Sequence, residues 1–211
     1  MADVDVGSIV PSTRDLLQAI TTRRRNLALI GLIAGSVEDP AAEAARLAEL
    51  NVSAFAALEP GSALSQVARA TKTVPSLLLV AAADREALLA ARQGGADGVV
   101  LDASLPLDAW DRLAKIARGM RMLPLALVTD AAALDAAVKA GARAILIRAG
   151  SADALLDLAA RAQRGVTLVG HVEGADAGAV RALAGKVDAA VVPPSLHAAA
   201  SFAELVAEVD P

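Results

Sequence analysis

The sequence predicts a single, compact (β/α)8 barrel, and three observations carry that prediction. Short apolar runs recur eight times, at 27–33, 53–58, 76–81, 98–101, 123–128, 144–147, 166–169 and 189–192. Each run is continuous rather than alternating, as expected of parallel strands covered on both faces. The segments between them, 41–50, 62–71, 85–93, 107–118, 131–140, 152–161, 177–184 and 199–209, place Ala and Leu at helical spacing. An open doubly wound sheet usually has about five or six strands, so the count favours a closed barrel.

Taken in order, residues 1–26 form an extension and 27–211 the barrel. Ser12-Thr13-Arg14-Asp15 resembles a helix start, and Leu16, Leu17 and Ile20 share one face of the helix that follows. Arg23-Arg24-Arg25 reads as its solvated C-terminal end, where cations suit the helix dipole, with anion binding as the other use. Asp39 before Pro40 is an N-cap followed by proline at the first helical position. Asp84, Asp130 and Ser151 are N-caps for later helices, and Gly94-Gly95, Gly141 and Gly185 stand where a left-handed residue ends a helix. One helix-to-strand turn is used three times, around Gly95-Ala96-Asp97, Gly141-Ala142-Arg143 and Lys186-Val187-Asp188.

Composition narrows the function. The chain has 211 residues, 53 of them Ala, with 20 Lys and Arg against 24 Asp and Glu, a net charge of -4. Small side chains let helices pack close to a tight strand cylinder, and Ala has the best helix propensity. The mild acidity argues against a broad nucleic-acid surface, and one Trp, two Phe and no Tyr leave little for base stacking. The absence of Cys excludes disulfides, Fe–S clusters, thiolate zinc sites and a Cys nucleophile. No apolar run reaches the roughly 18 residues of a spanning helix. The acidic start MADVDVGSIVPSTRD lacks a signal-peptide pattern, so a cytoplasmic location without membrane contact is expected.

Chemistry in this fold sits at the C-terminal strand ends. There the sequence offers Ser36, Glu59, Asp102, Arg148, His171, Glu173 and Ser195. His171 is the candidate base with Asp102 or Glu173 as partner, Glu59 a further acid–base group, and Arg148 an anion clamp. Ser36 and Ser195 are candidate ligand contacts. The other reading of His171 is a polar side chain hydrogen-bonded at the rim. His197 is expected to start the last helix in a solvent-exposed role. No Lys lies at a strand end, so a Schiff base has no nucleophile. Two His with scattered carboxylates show no metal-ligand spacing, and no cofactor is indicated. A phosphate grip would come from backbone N–H groups after strands 7 and 8. Here loop 7 is Glu173-Gly174-Ala175-Asp176, with two carboxylates, and loop 8 begins Pro193-Pro194, which contribute no N–H.

Over residues 12–210 the order and spacing resemble indole-3-glycerol phosphate synthase, a lyase among the phosphate-binding ribulose-phosphate barrels. The resemblance rests on Asp39-Pro40-Ala41-Ala42, Val74-Pro75, Ala91 to Asp97, Leu134 to Arg143, Val187-Asp188-Ala189 and Ser195-Leu196. It implies an N-terminal helix near the barrel mouth. The family's working residues do not carry over. Its first-strand Glu-x-Lys and Ser-Pro stand here as Gly31-Leu32-Ile33 and Gly35-Ser36-Val37. Its catalytic acid Lys falls near Leu79 and its strand-5 Glu near Leu127, while its strand-6 Asn and Arg fall near Arg148. Its Glu-Ser-Gly of strand 7 becomes His171-Val172-Glu173, and of its strand-8 Gly-Glu-Ser only Ser195 remains. General acid and base groups are each typically worth about 10²–10⁴-fold, so the family reaction is expected to be lost.

The expectation that follows is a catalytically degenerate barrel used as a binding or structural module, with a protein partner or a second copy. Lightly charged helix faces at 131–140 and 197–200 fit such contacts, and close intramolecular packing fits them as well. The alternative is a lyase or isomerase on a small polar or phosphorylated substrate using His171, Asp102 or Glu173, and Arg148. Retention of the family reaction is the third reading.

Overall fold

The computed structural model describes residues 10–21 and 26–209, so the Arg23-Arg24-Arg25 expectation falls outside the described residues. Helix α1 (Leu16–Thr21) precedes strand β1 (Ala28–Ile33), followed by α2 (Pro40–Glu49), β2 (Ala54–Ala57), α3 (Ser62–Ala70) and β3 (Ser76–Ala82). Then come α4 (Arg85–Gln93), β4 (Gly98–Asp102), α5 (Leu107–Gly119), β5 (Leu123–Val128), α6 (Ala131–Lys139) and β6 (Ala144–Ala149). The chain ends with α7 (Ala152–Ala159), β7 (Thr167–Val172), α8 (Ala177–Leu183), β8 (Ala189–Val192), the short α9 (Pro194–His197) and α10 (Phe202–Val209). The strands pair in sequence order and β8 closes on β1, all parallel, so the expected eight-stranded barrel is present. The final helix expected over 199–209 is present as α10, and an extra short helix, α9, precedes it because Pro193 and Pro194 start a separate turn directly after β8.

Local chemistry fixes the helix starts and stops. The side chain of Asp39 accepts from the Ala41 and Ala42 amides. Those of Asp84, Asp130, Ser151 and Asp176 accept from Ala87, Ala133, Ala154 and Ala179. Gly95, Gly141 and Gly185 hold positive φ after their helices, where a Cβ would be strained.

Strand alternation divides the core in two. Outward residues such as Leu29, Phe55, Leu78, Leu101 and Ile147 pack under the helices. Inward residues, among them Ile30, Ala56, Leu77, Leu79, Val100, Leu125, Leu146, Val169 and Val191, fill the barrel. One irregularity breaks the ladder. Between Leu78 and Ala81 the register of β3 against β4 shifts, so Leu79 and Val80 bulge out of the pairing.

Helix α1 packs at the N-terminal ends of the strands, the end opposite the mouth where the family resemblance had put it. Leu16 and Ile20 join the inward cluster from below. Gly98 has no Cβ at the point where one would collide with the Leu16 Cδ2. The physical reason for this placement is Asp97, 1% exposed in the turn before β4. Its carboxylate accepts from the Ser12 hydroxyl and from the Ser76 amide at 2.8 Å. It pairs with Arg14 Nε at 2.8 Å and Arg92 Nη1 at 3.1 Å. Arg14 in turn donates to the Ala68, Thr71 and Gly95 carbonyls at 3.1, 3.0 and 2.8 Å. Open clefts of about 410 and 540 Å3 flank α1 at this end.

Removing one partner from a buried ion pair strands the other charges, at a typical cost of about 3–5 kcal/mol. Asp97→Ala is therefore expected to lower unfolding stability by about that amount, read from urea midpoints at unchanged slope.

Candidate functional site

Apart from Thr167 at the start of β7, the inward strand positions are apolar until the last residues of each strand. Alternation carries Val100 to Asp102 on β4, Leu146 to Arg148 on β6, and Val169 to His171 on β7. These three residues are the polar groups that alternation turns inward at the mouth. Arg148 and His171 are direct neighbours in the ladder between β6 and β7.

Arg148 crosses the mouth. Its Nη2 donates to the Leu79 carbonyl at 3.1 Å, on the far wall of the barrel. The β3 bulge frees that carbonyl from the ladder and makes the bond available. The Arg148 Nε is buried and has no hydrogen-bond partner. No carboxylate among the described residues forms an ion pair with this guanidinium, although other arginines of the chain do so.

His171 is 9% exposed, and its Nδ1 is likewise buried without a partner. Burial pushes the imidazole below its ordinary pKa, and the Arg148 charge pushes the same way. The Glu173 carboxylate acts in the opposite direction and is outweighed. His171 is thus a neutral base at pH 7, held beside a cation.

The other candidates are arranged less favourably for catalysis. Asp102 is half-buried, and its Oδ1 accepts the Ser104 amide at 2.8 Å, which fixes it in its own turn. It makes no hydrogen bond to His171. Glu173 is exposed and reaches His171 only through its field. Ser36 and Glu59 on loops and Ser195 in α9 are exposed, and they make no hydrogen bond to the central three. Among the described residues, no three His, Asp or Glu side chains gather as a metal would require.

His197 corrects an expectation. It is 2% exposed, not solvated. The α9 turn tucks it under α2, where Nε2 lies 2.8 Å from the Leu32 carbonyl. Its Nδ1 lies 3.0 Å from Glu43 Oε1 and 3.2 Å from Arg46 Nη2. The Arg46 hydrogen bond, with the charges of Arg46 and His197 in support, outweighs burial and lowers the Glu43 pKa. This cluster ties the end of β8 to β1 and α2, closing the seam of the barrel. The sequence reading missed both it and the Leu79 carbonyl. The one signal for the latter was length, since the apolar run of β3 continues from Ser76 to Ala82.

No family model matches the sequence, and no curated protein matches it. Solved structures do. A 3-hexulose-6-phosphate synthase matches with a TM-score of 0.69 at 19% identity, over 87% of this chain and 98% of that one. A thiamine phosphate pyrophosphorylase from Pyrococcus furiosus matches with a TM-score of 0.61 at 18% identity, over 88% and 98%. What is shared is the fold. Both barrels carry names of phosphate compounds, and neither is an indole-3-glycerol phosphate synthase.

The His171 environment has a measurable consequence. Its folded pKa lies below the unfolded value of about 6.5. Above that pH both states are neutral and nothing is lost. As pH falls through about 6.5 the unfolded chain takes up the proton first, so stability drops. His171→Gln is expected to lose less stability between about pH 7 and 5.5 than the parent chain, read by urea unfolding at both values. Equal losses would contradict the assignment.

Proposed function

We propose that this chain is a binding module on an indole-3-glycerol phosphate synthase-like scaffold, holding a small anion at its mouth. The observation that carries the reading is Arg148. A half-buried guanidinium whose Nε is buried without a partner or counter-charge is costly, and an anion relieves that cost. Its unbonded Nε, and the unbonded Nδ1 of neighbouring His171, add unmet polar capacity that a ligand or ordered water supplies.

Loss of the ancestral chemistry fits the interior. Leu79 is fully buried, and Leu127 packs against the inward cluster, at the positions where the resemblance puts a catalytic acid and a Glu. Leucines there pack the barrel and transfer no protons.

A second reading rests on His171. A neutral, buried imidazole beside a cation suits proton abstraction next to a carboxylate or carbonyl that Arg148 polarises. The chain would then be a lyase or isomerase on a small polar or phosphorylated substrate, as the names of the fold neighbours suggest. His171→Ala separates the two readings: the first expects anion binding to weaken but persist through Arg148, and the second expects turnover to be lost.

The deciding experiment is a thermal-shift screen with inorganic phosphate, sugar phosphates and small carboxylates. A ligand at about 100 times its dissociation constant adds roughly 2.7 kcal/mol. Arg148→Gln is expected to abolish the shift given by any anion that binds. A screen with no shifts, together with light scattering that shows a stable complex or oligomer, would instead favour a purely structural partner role.

A further inference from the structure

We infer that the ligand of this site is a small zwitterion of the amino-acid kind, with its carboxylate on Arg148 and its ammonium on Asp102. The inference rests on the anion-binding reading above and specifies the chemical class.

Two inward-facing charges of opposite sign stand in one mouth without pairing. Arg148 commits Nη2 to the Leu79 carbonyl. Its remaining N–H groups form a planar edge suited to a carboxylate. Asp102 commits Oδ1 to the Ser104 amide, and its second oxygen has no partner among the described residues. The two side chains make no ion pair, although both face the same space. Arg148 reaches across to the Leu79 carbonyl and Asp102 turns to its own Ser104 amide, so the two charges stand apart. A molecule carrying both charges bridges that gap. A plain amine meets the repulsion of Arg148, and a plain acid leaves Asp102 facing a like charge.

A phosphate dianion fits worse. After β7, Asp176 takes the Ala179 amide for the cap of α8 and sets its own carboxylate beside the remaining amides. After β8, Pro193 and Pro194 lack N–H groups, and the Leu196 amide already bonds the Pro193 carbonyl at 3.0 Å. A second negative charge would also face Asp102 and Glu173. Exposed Leu58 just after β2 and Leu107 at the start of α5 give apolar surface on the rim for a carbon skeleton.

The test is isothermal calorimetry of the full chain, backed by thermal shift. Alanine, valine, β-alanine and 4-aminobutyrate are compared with propionate, isovalerate, the matching amines and inorganic phosphate. At least one zwitterion is expected to bind about tenfold or more tightly than the acid of the same skeleton. Asp102→Asn keeps an oxygen for the Ser104 amide while removing the charge. It is expected to reduce the zwitterion to the affinity of the acid. Acids binding as well as zwitterions, with Arg148→Gln abolishing both, would overturn this inference and leave the anion site standing. Phosphate binding tighter than every zwitterion would do the same. Absence of binding by all of these compounds, or binding that survives both Arg148→Gln and Arg148→Lys, would overturn the anion site itself.

Discussion

The structure depends on the close packing of the barrel interior. Eight strands enclose a cylinder only wide enough for side chains to fill. Every second residue therefore belongs to a packed layer, and its size is set by what stands opposite. Small inward residues on β1, β2, β6 and β8, namely Ala28, Ala54, Ala56, Ala144 and Ala189, leave room for Leu77 and Leu79 on β3, Leu125 on β5 and Leu146 further along β6. A polar group inside that stack would be buried without water. Inward positions free to be polar are the end ones, Thr167 at the floor and the last residues of the strands at the mouth. Asp102, Arg148 and His171 occupy such positions, so the candidate site follows from strand length and parity before any chemistry is considered.

The opposite end is governed by one carboxylate. Asp97 and Asp188 hold equivalent places in the two halves of the barrel. Each accepts the amide of a residue early in the preceding strand, Ser76 and Leu168 respectively, at 2.8 and 2.7 Å. Asp188 remains exposed and does nothing further in the contacts described. Asp97 is buried, because Ser12, Arg14 and Arg92 converge on it and α1 covers it. A turn that is merely repeated in one half has become an anchor in the other. The anchored helix seals the floor of the barrel and leaves the mouth to the ligand.

This contrast explains what the sequence made legible. Fold class, strand count, caps and inward parity are local or periodic properties, and each could be read from short windows. His171, Arg148 and Asp102 were visible as last inward residues of their strands. Their mutual distances were not, because Asp102 is held by Ser104 two residues on and Arg148 by a carbonyl 69 residues away. The position of α1 was also hidden. Its amphipathic face is plain, but its docking partner Asp97 lies 85 residues from Ser12. His197 misled for a similar reason. Its neighbours in sequence are small alanines, while Glu43, Arg46 and Leu32 bury it from across the seam.

The helix caps at the mouth decide what the fold can recognise there. A helix N-terminus carries about half a positive charge and several free amides, which makes it an anion site when left open. In α2, α4, α6 and α8 an Asp fills that place, and in α7 a Ser does. Each such cap is worth about 0.5–2 kcal/mol of helix stability, and each withdraws donors from a ligand. A barrel that binds phosphate through backbone amides cannot also use them for its own caps. The caps of α2, α4, α6, α7 and α8 are turned toward stability, and among the described residues the planar fork of Arg148 is an unpaired cation turned into the mouth. On the proposed reading, that fork suits a single planar carboxylate, and the surrounding Asp side chains disfavour a more highly charged anion.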